Sequence, residues 1–491
     1  MKISILRTIS VGYLLLPNIL FALGWFRIQF SIPLIIGFFY LFYLQFKDEN
    51  LTEISTLPLK DLIILAFAAI FWTFCTGTSG LSFQIADYWA HNAKFYDLYK
   101  NSWPIYFAEK DQYACYYFGY FLVPAFISKV IGFLSPSTLF LWTCIGYWLG
   151  LLWIYSLLYK KKRLILAFLF MGGIGHLVKV LFYQFTDYQF HIAPFYTEIW
   201  SIFDQSLWVT NQVIPIILIS SIFIHDAFIK GHFEDSFFPI TLGFLWAIFP
   251  SIIFVILFGV LFSRKYFSNP KLLFTNPAML RIILPGLVFL PTFIYFQSSD
   301  SFPISGFIWQ FDPVSEIMME YLVGTILDII LFFLLTQYFK NKVSIIPSWF
   351  INIVFMVFLL MSTFRIGRWN DWFIRGYIPL MFMISIPLIR HIYELWESGR
   401  WQKKFYFNIL IFILSLNFII PIGHIIRSLR TNVIANLVLK SRPHFTPLPY
   451  DTYPNTYVAV THHSSDGELE SKQYLGKKFS FYEKFLSREV D

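Results

Sequence analysis

Long apolar segments, repeated along most of the chain, are the feature that most restricts how this sequence can fold. A helix of about 20 apolar residues crosses the hydrocarbon core of a bilayer. Only 13% of the residues are charged, about half the fraction found in soluble domains. Apolar windows of this kind lie near residues 9–26, 30–46, 61–78, 138–158, 164–183, 208–228, 280–297, 321–339, 345–364, 373–391 and 405–422. The sequence therefore predicts an all-α polytopic membrane protein.

The basic residues, which give a net charge of +8, stand in short clusters between apolar segments. This distribution follows the positive-inside rule of membrane topology and argues against a nucleic-acid partner. The strongest cluster, residues 160–163 (KKKR), predicts a cytoplasmic loop. No cleavage site follows the first apolar run, so we expect it to be an uncleaved first helix and the N-terminus to be cytoplasmic.

Two further apolar stretches, 113–133 and 237–262, can each be interpreted in two ways. If both crossed the membrane, the basic clusters would lie on opposite sides. An interfacial 113–133, bent at Pro124, and a broken hairpin centred on Pro250 place all the main clusters in the cytoplasm. The sequence thus predicts about 11–13 transmembrane helices.

This topology divides the chain into four parts. Residues 1–78 hold three transmembrane helices, and 79–137 form a large outer loop with interfacial helices. Residues 138–425 form the transmembrane helical core, and 426–491 a small extracytoplasmic tail. Membrane lipid is a partner of any such chain.

The first constellation that could carry chemistry lies in this loop, where Asp87 and His91 are one helical turn apart. A carboxylate at a membrane surface can act as general base toward a sugar hydroxyl, and an adjacent imidazole can orient it. Lys94 continues the same helical face and is a candidate substrate contact. The alternative is a solvated helix-capping acid beside a structural histidine.

A second constellation lies between two apolar segments, in RIGRWNDWFIRG from residue 365 to 376. Asp371 and Arg375 are spaced as a helical ion pair, which leaves other arginines free to hold a phosphate. The alternative is a structural salt-bridge cluster between helices. The candidate substrate-binding residues here are Arg365, Arg368, Asn370, Asp371 and Arg375.

A third constellation begins the apolar segment near 208–228. Asn211 and Gln212 offer neutral hydrogen-bonding groups suited to sugar hydroxyls, although helix capping explains them equally well. Glu198 and Asp204, just before them, are scattered acids without the spacing of metal ligands.

Several kinds of motif are missing from the sequence. It contains no phosphate-binding Walker loop, no Gly-x-Ser-x-Gly elbow, no His-Glu-x-x-His pair and no Cys-x-x-Cys pair. We therefore expect no cofactor and no divalent metal. Acids within the apolar segments are few, Asp328 being the clearest, whereas an ion-coupled transporter usually has more.

The segments DYWAHNAKFYDL, SWPIY, YYFGYFLVPAFISK and RWNDWFIRGYIP resemble a group of bacterial membrane proteins of the GT-C glycosyltransferase type. The resemblance implies a polytopic enzyme of the bacterial cytoplasmic membrane, with its active site facing outside. By analogy, Asp87 would be the general base. The family often has two adjacent acids at this point, whereas this chain has Ala86 and Asp87, so we expect no metal assistance.

Together these features predict a glycosyltransferase that moves a sugar from a polyprenyl-phosphate donor to a lipid, glycan or protein acceptor. Asp87 would deprotonate the acceptor with support from His91, and the arginines of 365–375 would hold the donor phosphate. The alternatives are a polysaccharide polymerase or ligase, and a lipid or glycan transporter.

Overall fold

A computed structural model describes residues 1–47, 56–186, 197–300, 304–311, 314–338, 345–367, 369–399, 405–438, 444–464 and 467–489. Helices account for most of them, with two short antiparallel strand pairs. Eight of the described helices are long and apolar enough to cross a membrane. The prediction of an all-α, multi-pass membrane protein is therefore confirmed.

The first helices are α1 (Ile3–Trp25), α2 (Ile28–Lys47), α3 (Leu59–Cys75), α4 (Tyr88–Lys100), α5 (Gly119–Ile131), α6 (Pro136–Leu157), α7 (Lys162–Phe170) and α8 (Gly175–Thr186). They are followed by α9 (Ile202–Ile224), α10 (Phe237–Gly243), α11 (Ile248–Phe262), α12 (Asn276–Ala278), α13 (Leu284–Gln297), α14 (Val314–Gly324) and α15 (Leu331–Tyr338). The last are α16 (Ser348–Ser362), α17 (Asp371–Glu397), α18 (Phe405–Leu416), α19 (Ile419–Arg430), α20 (Val433–Val438), α21 (Thr456–His463) and α22 (Gly467–Ser471). The strands are β1 (Tyr106–Phe107), β2 (Gln112–Tyr113), β3 (Ser305–Phe307) and β4 (Phe364–Ile366), paired β1 with β2 and β3 with β4.

The described residues hold fewer full-length spans than the 11–13 that the sequence predicted. The eight are Ile3–Trp25, Ile28–Lys47, Pro136–Leu157, Ile202–Ile229, Ile248–Phe267, Asn276–Gln297, Met318–Gln337 and Asp371–Glu397, and α7 with α8, bent by 52°, could form a ninth. Helices α3 and α16 are shorter, with 17 and 15 residues. The predicted span at 405–422 is divided between α18 and α19, because Asn417 at the break turns its amide to the Gly172 carbonyl.

The two ambiguous stretches differ from each other in the structure. Helix α5 has 13 residues, so it is about 20 Å long and shorter than the hydrocarbon core. In 237–262 the break falls at residues 244–247 and not at Pro250 as predicted. Pro250 lies in the first turn of α11, where a proline removes no intrahelical hydrogen bond. The segment that follows, Ile248–Phe267, is long enough to cross by itself.

The chain forms two compact units. Unit 1 contains Met1–Leu152, Thr210–Pro303 and Ser428–Asp491, and unit 2 contains Trp153–Val209 and Ile304–Arg427. Both are therefore built from segments distant in sequence. The chain passes between them within α6, α9 and α19.

Unit 1 is organised around α1, which packs against α2, α5 and α10. Arg7, near its start, is 2% exposed and lies 2.6 Å (Nη2 to Oδ2) from the fully buried Asp226. The same nitrogen donates to Gln45 at 2.5 Å, and His225 Nδ1 lies 3.0 Å from Asp226 Oδ1. A buried charge without a partner costs several kcal/mol, so these contacts fix the register of the helices involved.

The C-terminal tail returns to unit 1 and packs on α4. The first turn of α21 is held by Asp97 of α4, whose Oδ2 accepts from the Thr456 amide at 2.6 Å and hydroxyl at 2.5 Å. Burial raises the pKa of Asp97 to about 7, although the Thr456 hydrogen bonds act in the opposite direction. Further along, Leu475 forms a β-bridge with Ala114. The C-terminal tail thus packs as part of unit 1.

Unit 2 contains a buried acid whose neighbours are glycines. The Asp328 carboxylate is fully buried and accepts from the Gly175 amide at 2.8 Å. A Cβ atom at Gly173 or Gly175 would overlap this carboxylate. The break between α7 and α8 therefore depends on residues without side chains.

We expect Gly173→Ala to destabilise the protein by about 1–3 kcal/mol, because the added methyl group displaces the Asp328 carboxylate. The matched control is Gly423→Ala in α19, where a Cβ meets nothing within 4 Å. This control should be neutral or should stabilise by up to about 1 kcal/mol, through helix propensity. Thermal unfolding of the purified variants measures both, and equal midpoints would contradict the packing argument.

We expect docking of α21 to weaken as the pH rises. The pKa of Asp97 is about 7 in the folded protein against an ordinary 3.8, so its contribution to stability is present below pH 4 and is lost as the pH rises through 7. Asp97→Asn should remove this dependence, whereas Asp451→Asn, at an exposed position, should retain it. The measurement is amide hydrogen exchange of Thr456–His463 between pH 5 and 8, corrected for intrinsic rates. A pH response unchanged in Asp97→Asn would contradict the assignment.

Candidate functional site

The first turn of α4 carries the predicted acid and imidazole. Asp87 is the residue that precedes the helix, and its side chain makes no capping hydrogen bond to the helix. His91 follows one turn later, with its ring 5.3 Å from that of Tyr88 and 6.0 Å from that of Phe121. Asp87 and His91 are both half-buried. They therefore combine an apolar setting with access from outside the protein.

Tyr88 anchors this turn to the end of α3. Its hydroxyl donates to the Thr76 carbonyl at 2.7 Å and lies 3.2 Å from the Thr78 hydroxyl. The Thr210 side chain of α9 also interacts with the Tyr88 hydroxyl. One buried tyrosine thus holds the start of α4 against two other helices.

The predicted amide pair lies beside the same turn. Gln212 donates from Nε2 to the Tyr117 hydroxyl at 2.9 Å, and the Tyr117 ring stacks on Tyr116 at 3.9 Å. Asn211 is 2% exposed, and its Oδ1 accepts no hydrogen bond within the described residues. A buried carbonyl oxygen of this kind costs free energy unless a donor reaches it.

Two of the three constellations read from the sequence therefore belong to one cluster, although more than 100 residues separate them. We call the α4 cluster the set Asp87, Tyr88, His91, Tyr117, Thr210, Asn211 and Gln212, all in unit 1 or at its edge. The sequence indicated the acid, the imidazole and the amides. It gave no signal for Tyr88, which links the Asp87–His91 turn to Thr210, or for Tyr117, which accepts a hydrogen bond from Gln212.

Lys94, predicted to contact the substrate, is 2% exposed. Its ammonium group lies over aromatic rings, 4.8 Å from the centre of Tyr116, 5.8 Å from Phe121 and 5.6 Å from Tyr474. Such contacts stabilise a cation removed from water. Lys94 thus supplies a buried positive charge behind the α4 cluster.

The constellation at 365–375 belongs to unit 2. The predicted ion pair is present, with Arg375 Nε 3.5 Å from Asp371 Oδ1. The Arg365 guanidinium packs on Phe311 at 5.4 Å and donates from Nε to the Gly367 carbonyl at 3.2 Å, and its predicted role as an anion contact stays a prediction. Arg368 lies outside the described residues.

Asn370 acts as the N-cap of α17. It is fully buried with a φ of 52°, and its Oδ1 accepts from the Phe373 and Ile366 amides. Asparagine tolerates this left-handed conformation better than most residues. Asn370 therefore has the surroundings of a structural helix cap. Helix capping is also the alternative given above for the amide pair of α9.

A polar network in unit 2 continues from Arg375. Arg375 Nη1 donates to Gln205 Oε1 at 3.3 Å, and Gln205 Nε2 donates to the Tyr377 hydroxyl at 2.6 Å. That hydroxyl contacts the Trp200 backbone, with 2.7 Å to its amide nitrogen. The network ends beside two acids, Glu198 and Asp204, that the sequence showed only as scattered charges.

Glu198 is the centre of this second group. Its carboxylate lies 2.5 Å from His176 Nδ1 and 3.1 Å from Lys179 Nζ, and it accepts from Trp200 Nε1 at 2.6 Å. Burial acts to raise the pKa of Glu198, but His176 and Lys179 outweigh it, so the pKa is lowered and the acid is ionised near neutral pH. The group was missed because its members are separated in sequence and follow no motif.

No group of three His, Cys, Asp or Glu side chains placed to hold a metal ion occurs among the residues that the structure describes. The expected independence of metal stays a prediction.

Comparison with known proteins provides no relative of this chain. No protein-family model, no curated protein and no solved structure matches it. The resemblance to GT-C enzymes therefore depends on the short motifs quoted above. Of what it implies, the membrane-spanning helical architecture is the part that the structure bears out.

Two substitutions at Asn370 separate a capping role from a substrate-binding role. Asn370→Ala should cost about 2 kcal/mol, from the lost cap and from strain in the left-handed conformation. Asn370→Gly should cost less, because glycine adopts that conformation without strain. Thermal unfolding is the measurement, with activity recorded beside it. Equal stability of the two variants would contradict the capping role.

Proposed function

We propose that this chain is a membrane glycosyltransferase of the GT-C type, which transfers a sugar from a lipid-linked phosphate donor to a hydroxyl-bearing acceptor. Asp87 is the general base, and His91 orients it. The observation that carries the proposal is the meeting of the Asp87–His91 turn with the Asn211–Gln212 turn in the α4 cluster. The Tyr88 hydroxyl, which belongs to the Asp87–His91 turn, interacts there with the Thr210 side chain, next to Asn211 and Gln212.

The proposed reaction needs one proton acceptor and no cofactor. As the acceptor oxygen attacks the anomeric carbon of the donor, its proton passes to the Asp87 carboxylate. The bond between the anomeric carbon and the phosphate oxygen breaks, and the lipid phosphate leaves with the electron pair. Direct attack inverts the configuration at that carbon. A positioned base of this kind contributes about 10²–10⁴-fold to a rate.

The surroundings of the α4 cluster suit this role. Phe121 and Tyr88 bound the imidazole with apolar surface, which limits competing water. Asn211 Oδ1 is buried and accepts no hydrogen bond from the described residues, so a sugar hydroxyl that reached it would satisfy it. Lys94 contributes a positive charge within the same unit. Arg365 and Arg375 belong to the other unit and are not needed for the base chemistry.

A lipid or glycan transporter is the second candidate, because the helices bury more acids than the sequence suggested. Asp204 and Asp226 lie in one candidate span and Asp328 lies in another, and all three are at most 4% exposed. Acids within a membrane often mark ion or proton pathways. Asp226 has a structural explanation in Arg7, and Asp328 has one in the Gly175 amide, so we place this function second.

The test is glycan transfer by membranes that contain the wild type, Asp87→Asn or Asp451→Asn, supplied with labelled polyprenyl-phosphate sugars. We expect Asp87→Asn to lower the rate by about 10²–10⁴-fold, because the amide cannot accept the proton. The control carries the same change at an exposed position and should keep the wild-type rate. His91→Gln should lower the rate by a smaller factor.

Equal thermal stability of the wild type and Asp87→Asn is required before the rates are compared. Transfer that is unchanged in Asp87→Asn would refute the assignment of the base. A wild type that forms no glycosidic bond with any donor, yet moves labelled lipid between the two sides of a vesicle, would favour the transporter.

A further inference from the structure

Unit 2 contains a cavity of about 140 Å³ that the sequence did not indicate. An engineered cavity of about 150 Å³ binds benzene, so this one has room for a single six-membered ring. Its lining comes from three separate stretches of unit 2, and all the lining residues are described. They are Gly172, Gly173, His176, Ile199, Trp200, Ser201, Asp204, Trp208, Asn417, Ile420 and His424.

Two residues of this lining, Asp204 and Asn417, each have a buried oxygen that no donor reaches among the residues that the structure describes. Asp204 is 4% exposed, and its Oδ2 is bound by the Ser201 hydroxyl at 2.7 Å, whereas its Oδ1 accepts nothing. Asn417 is 3% exposed, and its Nδ2 donates to the Gly172 carbonyl at 2.5 Å, which leaves Oδ1 without a donor. Buried acceptors of this kind are costly, and a ligand that donates hydrogen bonds would satisfy them.

The other walls of the cavity are aromatic and apolar. Trp200 and Trp208 lie with their ring centres 5.5 Å apart at an angle of 51°. Trp200 is fixed by its hydrogen bond to Glu198, so its ring keeps one orientation. Half-buried His176 and His424 complete the polar edge, with His424 Nε2 3.9 Å from Asp204 Oδ1. Burial, and then the charge of Arg427, lower the pKa of His424, so its ring is neutral near pH 7.

We infer that this cavity is a binding site for one monosaccharide ring. Hydroxyl groups donate to Asp204 Oδ1 and Asn417 Oδ1, and the apolar face of the ring packs on Trp200 and Trp208. Mostly apolar walls with a few converging polar groups are typical of small-molecule sites. The inference depends on the lining of unit 2 and does not need catalysis at Asp87.

The competing occupant is an organic cation, because a carboxylate beside tryptophans also attracts positive charge. The arrangement favours a neutral ligand for two reasons. Asn417 presents an amide oxygen that requires a donor but offers no net charge. Asp204 is the single acid of the lining, and its Oδ2 is already bound by the Ser201 hydroxyl, so a cation would meet only one carboxylate oxygen.

The test is saturation-transfer NMR on the full-length protein, held in an amphipol without sugar groups. The probes are the methyl pyranosides of glucose, galactose and mannose, with open-chain sorbitol and tetramethylammonium as comparisons. We expect at least one pyranoside to bind and sorbitol to bind at least about tenfold more weakly. Asp204→Asn and Trp208→Leu should each weaken the pyranoside by about tenfold or more.

The matched controls are Asp451→Asn and Trp396→Leu, which make similar changes at exposed positions and should keep wild-type binding. His424→Gln is a further variant that tests the same wall if Asp204→Asn does not fold. Three results would overturn the inference: no pyranoside binds to the wild type, tetramethylammonium binds while pyranosides do not, or binding is unchanged in both cavity variants. Asp87→Asn distinguishes the two proposals, since it should lose transfer and retain pyranoside binding.

Discussion

The need to pair every charge that is removed from water determines how the helices of this protein are arranged. Arg7 and Asp226 are 219 positions apart and form a buried ion pair in unit 1. Lys179 and Glu198 form a second buried pair in unit 2, with the half-buried His176 beside Glu198. Breaking a buried pair by removing one partner typically costs about 3–5 kcal/mol, so each pair excludes the helix registers that would separate it. Apolar packing alone would tolerate several of those registers.

The requirement that buried polar groups have partners also applies to hydrogen bonds, and some groups in the two units do not meet it among the described residues. Most buried donors and acceptors in a folded protein have a hydrogen-bond partner, so a buried group without one requires an explanation. Within the part of the chain that the structure describes, Asn211 in unit 1, and Asp204 with Asn417 in unit 2, each have one oxygen that no donor reaches. Beside the pair in unit 2 lie two tryptophans and two histidines. The proposed transfer site and the proposed sugar cavity thus share one physical property: each contains a buried oxygen whose hydrogen bonding is incomplete among the described residues.

Local patterns in the sequence were sufficient to predict the class of fold and several features of the site. Apolar runs identified the helices, and the spacing of Asp371 and Arg375 identified their ion pair. The patterns failed where tertiary contacts decide the outcome. Asn417 interrupts an apolar run because its amide donates to the Gly172 carbonyl. The Arg365 guanidinium packs on the Phe311 ring and donates to the Gly367 carbonyl. The cavity of unit 2 could not be predicted, because its lining residues come from segments more than 200 positions apart.

The contact between Asp97 and Thr456 has a consequence for the order in which the protein matures. Helix α4, which follows Asp87, is made early in synthesis, whereas Thr456 of the segment that packs on it follows Asp97 by 359 positions. All the segments of unit 2 are complete before that segment exists. A chain that ends near residue 440 could therefore insert its helices and still lack a finished α4 surface. Thr456 and Tyr482, through their contacts with Asp97 of α4 and with Trp25 of α1, complete surfaces that the earlier segments cannot finish by themselves.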